Sequence, residues 1–261
     1  MYENELQICI DSVHKAGVEI LKMRNEGIRY GHKSGRELVS EADLKVSEIL
    51  RDSLTFHFPD TGWLSEEDVD TADRLQKERV WIVDPIDGTR EFLQGLPEYA
   101  ISVALVVQGN PVLGVVCNPA TKETFSSICS TEDNLFIKNQ KNSTFSKKLN
   151  EYTVLISRGE YQFREVPPLP GTPTVIPLGS VAYRLALLSA GKADLTISWH
   201  ARMEWDVAAG TALCLAKGIQ VTDFLGEPLQ FNQPFPSIHG LLAAKPELHK
   251  KTFEIQDLSY R

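Results

Sequence analysis

The stretch Trp81-Ile82-Val83-Asp84-Pro85-Ile86-Asp87-Gly88-Thr89-Arg90-Glu91-Phe92 decides how the elements around it are arranged. Its apolar beginning, from Val80 to Val83, predicts a short buried strand. Proline and glycine predict a turn after that strand, and the turn would let Asp84 and Asp87 converge on one point above the sheet. Gly88 and Thr89 predict the start of a short helix whose free N–H groups face the same point. Carboxylates beside free amides suit a divalent cation that bridges to an anion such as phosphate.

A lone Asp-Pro-x-Asp is more often a plain turn, because Asp, Pro and Gly are common turn residues. The complete stretch is more specific, and it resembles the Asp-Pro-hydrophobic-Asp-Gly-Thr signature of the inositol monophosphatase superfamily. Members of that superfamily are metal-dependent, lithium-sensitive phosphomonoesterases. Four further stretches resemble family patterns in the same order along the chain: Lys33 to Asp43, Glu66-Glu67, Trp205 to Gly210, and Gly218 to Leu229.

Length and composition limit the classes of protein to consider. The chain has 261 residues, with 42% hydrophobic and 24% charged residues, as in an ordinary globular protein with two subdomains. No apolar run reaches the ~20 residues that span a bilayer, so no membrane partner is expected. An acidic N-terminus without signal-peptide features and four scattered cysteines predict a cytoplasmic protein with reduced thiols. The net charge of −8 argues against binding to a nucleic acid polymer.

The order of predicted elements divides the chain in two. An amphipathic helix over 4–24, a helix that begins after Ser40 and an antiparallel meander over 99–128 predict an N-terminal α+β subdomain, residues 1–150. The polar, lysine-rich segment 138–150 is the predicted boundary. Strands and helices then alternate, which predicts a C-terminal α/β subdomain, residues 151–261, that carries Asp206 and the substrate-binding residues. The resemblance implies the layered αβαβα fold of the superfamily.

The resemblance also implies a metal site, although the acids in question have ordinary explanations as well. Asp43 and Asp206 each begin a predicted helix and are equally well explained as partners of the helix dipole. An acidic run such as Glu66 to Asp70 is, standing alone, typical of solvated surface. By resemblance, two to three Mg²⁺ ions would be held by the carboxylates of Glu66, Asp84, Asp87 and Asp206 and by the carbonyl of Ile86. The resemblance also implies that Li⁺ or Ca²⁺ would inhibit the enzyme.

The reaction implied by the resemblance is hydrolysis of a phosphomonoester without a phosphoenzyme. A metal-activated water, oriented by Thr89 and Asp43 and aided by Glu66, would attack phosphorus in line. The phosphate would lie on the amides of Gly88 and Thr89, with Lys33 nearby. A non-catalytic metal-binding protein is a distant alternative, since Thr89 and Asp43 are both retained.

The substrate is predicted from residues outside the metal site. Thr89-Arg90-Glu91-Phe92 and Glu204-Trp205-Asp206 resemble stretches of bacterial 3′(2′),5′-bisphosphate nucleotidases, with Arg for Lys at position 90. This resemblance favours adenosine 3′,5′-bisphosphate, and Trp199 would stack on its purine unless it serves ordinary packing. Candidates for the distal phosphate and the ribose are Arg158, Arg184, Arg202, Ser180 and Glu204. An inositol or sugar monophosphatase remains the alternative, and family habit predicts a homodimer.

Overall fold

The computed structural model describes residues 1–32, 38–129 and 151–260. Lys33 and the predicted boundary segment 138–150 lie outside these described residues. The division of the chain into subdomains 1–150 and 151–261 therefore stays a prediction.

Helices and strands occur on both sides of the boundary segment. Before the boundary segment the elements are α1 (Glu3–Glu26), β1 (Tyr30–His32), β2 (Leu38–Ser40), α2 (Glu41–His57), β3 (Gly62–Ser65), a 3₁₀ turn (Ala72–Gln76), β4 (Arg79–Asp87), α3 (Thr89–Leu93), β5 (Ala100–Val107), β6 (Asn110–Asn118) and β7 (Glu123–Ile128). After it they are β8 (Thr153–Ser157), α4 (Arg158–Gln162), β9 (Thr174–Leu178), α5 (Val181–Ser189), β10 (Leu195–Ser198), β11 (Arg202–Met203), α6 (Glu204–Leu215), β12 (Gln220–Thr222), β13 (Ser237–Ile238), β14 (Leu241–Ala244) and α7 (Pro246–Tyr260). A search of the described helices finds none with the length and apolar character that crossing a bilayer requires.

The first sheet has the strand order β3-β4-β5-β6-β7. β3 runs parallel to β4, β5 to β7 form the predicted antiparallel meander, and β4 pairs antiparallel with β5 at its edge. One face of this sheet is covered by α1 and α2, whose apolar stripes meet the strands in a single cluster. Leu6 and Ile20 of α1 and Leu50 of α2 lie there with Trp81 and Leu105 of the strands, all of them buried.

The other face of the first sheet is covered by α5 and α6, and α6 approaches it unusually closely. A side-chain carbon at Gly114 of β6 would lie 2.3 Å from Ala209 O of α6, and one at Gly210 of α6 would lie 2.4 Å from Leu185 Cβ of α5. The small residues predicted at the start of α6 therefore have a steric purpose. They let one helix pack against a sheet and a second helix at once.

The second sheet has the order β12-β14-β10-β8-β9, with β8, β9 and β10 parallel and β14 antiparallel to both of its neighbours. Its inner face packs on α5 and α6, and its outer face packs on α7 through Leu248 and Phe253. The order of layers is therefore α1/α2, first sheet, α5/α6, second sheet, α7. The predicted five-layer αβαβα fold is confirmed, while β14 and α7 have no counterpart in the sequence prediction.

The close contact between β6 and α6 leads to a prediction about stability. Gly114→Ala should lower the free energy of unfolding by about 1–3 kcal/mol, because the added methyl group overlaps the Ala209 carbonyl. Equilibrium unfolding in urea measures the loss. Gly31→Ala is the control, since no atom lies within 4 Å of the added carbon at that position, and equal stability of the two variants would contradict the prediction.

Candidate active site

Two carboxylates of the central stretch lie at a β-bulge near the end of β4. Asp84 pairs with Ser102 of β5 and Asp87 pairs with Ala100, so β4 takes three steps where β5 takes two. The extra residue brings both carboxylates to one face of the sheet, which a regular strand would not do. The prediction of a turn after Val83 is therefore wrong, because β4 continues through a bulge to Asp87. Inside the bulge, Ile86 N donates to Asp84 Oδ1 at 3.0 Å.

Gly88 and Thr89 begin α3 as predicted. Gly88 has φ +94°, and a side-chain carbon there would lie 2.8 Å from Glu98 O, so glycine is required on both counts. Thr89 Oγ1 lies 3.2 Å from Asp43 Oδ1 and 3.0 Å from Ile86 O. The hydrogen bond between Thr89 and Asp43 that the resemblance implied is present, and its proton is shared with the carbonyl of the bulge.

Asp43 is positioned by the N-terminal cap of α2. Ser40 N and Ser40 Oγ donate to Asp43 Oδ2 at 2.7 and 2.6 Å, and Asp43 N donates back to Ser40 Oγ at 3.4 Å. Both explanations of this residue are therefore correct. One carboxylate oxygen serves the helix terminus, and the other is available to Thr89.

Asp87 is held from the second half of the chain. Its Oδ2 accepts hydrogen bonds from Ser180 Oγ at 2.7 Å and from Ala182 N at 2.6 Å. Ser180 Oγ also accepts from Tyr183 N and so caps α5. These contacts join the end of β4 to the start of α5. The hydroxyl of Ser180 is hydrogen-bonded to two groups of the protein, Asp87 Oδ2 and Tyr183 N.

An open cleft of about 340 Å³ lies where these elements meet. The predicted site residues that line it are Glu66, Asp84, Ile86, Asp87, Gly88, Thr89, Ser180, Arg184, Arg202 and Asp206. Asp43 lies behind Thr89, to which it is hydrogen-bonded. Residues from β3, β4, α3, α5, β11 and α6 thus converge, although the sequence separates them by up to 140 positions.

Burial dominates the electrostatics of the carboxylates. Burial, with repulsion from Glu66, Asp87 and Asp206, raises the pKa of Asp84 well above its usual value. Burial also raises the pKa of Asp87, although the hydrogen bonds from the α5 terminus act in the opposite direction. Burial and the charge of Asp87 raise the pKa of Asp206 to about 8. A group of carboxylates this costly to ionise is stabilised by cations.

The donor atoms fit a hard divalent cation. Asp84, Asp87 and Asp206 each use one oxygen for hydrogen bonds within the protein, and the second oxygen of each accepts none from the described residues. Oxygen donors of this kind suit Mg²⁺. Within 1–32, 38–129 and 151–260, no three acidic, histidine or cysteine side chains are already gathered as ligands of one ion. An ion would therefore have to draw these carboxylates together.

Two arginines, Arg184 and Arg202, are among the residues that line the cleft. Arg202 Nε donates to Ser198 Oγ at 2.6 Å, and Arg202 also donates to Glu160 Oε1 at 3.4 Å. Arg184 is 1% exposed and donates to Thr196 Oγ1 and Ile197 O, while its Nε has no partner in the described part of the protein. Burial lowers the pKa of Arg184 to about 10, so the guanidinium is still charged at neutral pH.

Two carboxylates that support the cleft were missed by the sequence prediction. Glu98 forms an ion pair with Arg158 and accepts Gly179 N at 2.9 Å. Glu160 is 3% exposed, and its Oε1 accepts from Ser198 Oγ, Trp199 N and the Arg202 guanidinium. Their partners lie 38 to 81 positions away in the sequence, so no local motif marks either residue.

Two predicted substrate contacts lie elsewhere. The ring of Trp199 packs against Phe224, with 4.9 Å between ring centroids, and it does not line the cleft. Glu204 is fully buried and accepts Asn232 N and Gln233 N at 2.7 and 2.9 Å. The structure places neither side chain among the residues that line the cleft, and the reason is the same for both: each has a partner in a loop that is remote in sequence. Lys33 lies outside the described residues.

Comparisons with known proteins agree with this geometry. The sequence model described as the inositol monophosphatase family matches residues 1–259. A fructose-1,6-bisphosphatase/inositol-1-monophosphatase of Thermotoga maritima is 33% identical over 214 residues, which cover 79% of this chain and 80% of the relative. The 3′(2′),5′-bisphosphate nucleotidase CysQ of Salmonella typhimurium is 28% identical over 243 residues, which cover 86% and 92%. The solved structure of the extragenic suppressor protein suhB from Bartonella henselae has a TM-score of 0.81 and 25% identity, over 97% of this chain and 98% of that one.

Asp206 offers a test of the charge cluster. Above pH about 8, where Asp206 is ionised without a bound cation, Asp206→Asn removes one negative charge from the cluster, and an amide oxygen can still accept from Met203 N. In a chelator at such a pH we expect the variant to be more stable than the wild type by about 0.5–2 kcal/mol, because repulsion is relieved; at lower pH the protonated Asp206 carries no charge to remove, and the difference should shrink.

The same variant should lose the response to magnesium. At a concentration ten times the dissociation constant, Mg²⁺ should stabilise the wild type by about 1.4 kcal/mol and the variant by much less. Thermal unfolding in chelator and in Mg²⁺ measures both effects. Equal stabilisation of the two proteins by Mg²⁺ would exclude Asp206 from the metal site.

Proposed function

Since the chain belongs to the inositol monophosphatase family and is a phosphatase, we propose that it hydrolyses a nucleoside bisphosphate, first of all adenosine 3′,5′-bisphosphate, to AMP and inorganic phosphate. The observation that carries this proposal is that both signs of charge line one cleft. The carboxylates of Asp84, Asp87 and Asp206 and the guanidinium groups of Arg184 and Arg202 are among its lining residues. Cations held by the carboxylates would bind one phosphate of a bisphosphate, and the arginines would bind the other.

We propose that the carboxylate end holds two to three Mg²⁺ ions. The ligands would be Glu66, Asp84, Asp87, Asp206 and the carbonyl of Ile86, all of which line the cleft. Bound Mg²⁺ would supply Lewis-acid stabilisation of the phosphoryl oxygens and of the leaving group. Members of the family are metal-dependent phosphatases, in keeping with this assignment. Inhibition by Li⁺ or Ca²⁺ is part of the same proposal.

The protein groups around the phosphate have separate tasks in this proposal. The Thr89 hydroxyl donates to Asp43, which leaves its lone pairs free to accept a hydrogen bond from the attacking water; as the water gives up its proton to Thr89, the Thr89 proton would pass to Asp43. Glu66 would assist as a second acceptor. The amides of Gly88 and Thr89 have no partners within α3 because they begin it, and they would donate to the phosphate oxygens.

A monophosphate of inositol or of a sugar is the second candidate. It is favoured by the name of the Thermotoga maritima relative, which is 33% identical to this chain. It is also favoured by Trp199, because a ring packed on Phe224 gives a purine no platform. The cleft arginines weigh against it, since a second cationic end serves no purpose for a single phosphate.

The setting of the enzyme is proposed on more general grounds. The four cysteines are all free, and three of them are buried, which suits the reducing cytoplasm. A net charge of −8 suits a small substrate better than a nucleic acid polymer. A homodimer is proposed from the habit of the family.

Phosphate release distinguishes the two substrate classes. In Mg²⁺ we expect kcat/KM for adenosine 3′,5′-bisphosphate to exceed that for inositol 1-phosphate by at least about tenfold, because only the bisphosphate has a second group for the arginines. Asp84→Asn should be inactive with both substrates and serves as the blank. A preference for inositol 1-phosphate would move the function to the second candidate.

The cationic end of the cleft can be tested separately. Arg202→Met should raise the KM for adenosine 3′,5′-bisphosphate by about tenfold or more, because a hydrogen bond between two charged groups is lost. The KM for adenosine 3′-monophosphate and both kcat values should change little. Lys250→Met removes an exposed positive charge on α7 and is the matched control. Equal increases in KM for the two substrates would contradict a distal-phosphate contact at Arg202.

A further inference from the structure

Glu91 places a carboxylate in the cleft wall that has no role in the metal site. It lies on α3, four residues after Asp87, and it is partly buried among the residues that line the cleft. Its side chain lies directly against Gly179: a carbon added there would be 2.5 Å from Glu91 Cγ and 3.0 Å from Glu91 Oε1. The absence of a side chain at Gly179 is therefore what allows Glu91 to occupy this position.

Glu91 differs from the other carboxylates on this side of the cleft in having no partner in another residue. Glu98 pairs with Arg158 and accepts from the amide of Gly179, and Glu160 Oε1 accepts from the loop that carries Arg202. Across the described ranges, Glu91 forms no ion pair and accepts no hydrogen bond from another residue; burial raises its pKa, while its own amide and the charge of Arg90 lower it. A partly buried carboxylate with so few donors is costly, so a ligand that brings a donor would be favoured.

The position of Glu91 indicates which donor this is. Glu91 lies on α3, two residues after Thr89, whose amide would bind the scissile phosphate, and it lines the same cleft. The part of a substrate next to that phosphate would therefore lie against the Glu91 carboxylate. A phosphate group would be repelled by the carboxylate, whereas a neutral hydroxyl group would donate a hydrogen bond to it.

We propose that Glu91 is a specificity-determining residue that accepts a hydrogen bond from the substrate hydroxyl next to the scissile phosphate. The enzyme then selects phosphate esters with a neighbouring hydroxyl, such as ribose 3′-phosphates, over their deoxy counterparts. For a nucleoside bisphosphate this inference rests on the proposed function, but the chemistry is the same for any polyol phosphate. A site built to accept a hydroxyl rejects the analogue without it, because the acceptor is left unpaired.

The test compares two substrates that differ by one oxygen. For the wild type, kcat/KM for adenosine 3′,5′-bisphosphate should exceed that for 2′-deoxyadenosine 3′,5′-bisphosphate by at least about tenfold. Glu91→Gln and Glu91→Ala should lose activity mainly on the ribose substrate, so that the ratio falls towards one. Glu247→Gln, an exposed residue on α7, is the matched control and should keep the wild-type ratio.

The possible results separate this inference from the proposed function. If both bisphosphates are hydrolysed but Glu91→Ala lowers kcat/KM equally for the two, Glu91 does not accept a hydrogen bond from the 2′-hydroxyl, and the inference is overturned. If neither bisphosphate is hydrolysed, the proposed function fails, and the same variants are compared on inositol 1-phosphate and cyclohexyl phosphate. If the wild type prefers inositol 1-phosphate and the ratio of the two kcat/KM values falls towards one in Glu91→Ala, the inference is supported; if that ratio is unchanged, the inference is overturned.

Discussion

Asp84, Asp87 and Asp206 meet where the end of β4 faces the start of α6, and burial raises the pKa of all three. Repulsion adds to the effect of burial at Asp84 and Asp206. The fold offsets this cost locally, by giving each carboxylate one hydrogen bond from a backbone amide: Ile86, Ala182 and Met203 are the donors. These amides fix one oxygen of each carboxylate and leave the other for a ligand. The packing of α6 keeps these carboxylates close together, and the arginines and acids around them set the charge of the cleft.

Maintaining the crowding requires close packing of the layers. Asp206 can approach the β4 bulge only if α6 lies almost in contact with the first sheet and with α5. Gly114 and Gly210 provide that proximity, since a methyl group at either position would overlap an atom of the neighbouring element. The positions of the carboxylates therefore depend on how α6 packs between the two sheets. Substitutions in that core, far from the cleft, can alter the geometry of the carboxylates.

The sequence predicted the parts of this arrangement that depend on neighbouring residues. The cap of α2 at Ser40 and the strand into Asp84 follow from local chemistry, and the resemblance supplied the bond between Thr89 and Asp43. The bulge was missed because proline and glycine indicate a break in regular structure without specifying its form.

Contacts between distant segments could not be predicted in the same way. Trp199 and Glu204 follow family patterns in sequence, but the packing of Phe224 and of the amides at 232 and 233 decides where their side chains lie. Glu98 and Glu160 carry no motif at all, because their importance comes only from partners that the fold brings to them.

Charge balance explains why those unpredicted acids lie where they do. An unpaired guanidinium beside the metal-site carboxylates would form ion pairs with them and compete with a cation for the same oxygens. Glu98 limits this at Arg158, and Glu160 limits it at Arg202, since each acid forms an ion pair with its arginine. Each acid also accepts a hydrogen bond from a backbone amide, Gly179 N or Trp199 N, so the same carboxylate sets both charge and loop position. Arg184 is held instead by Thr196 Oγ1 and the carbonyl of Ile197. The cleft can therefore present opposite charges a short distance apart, because each of these arginines has a partner outside the metal site.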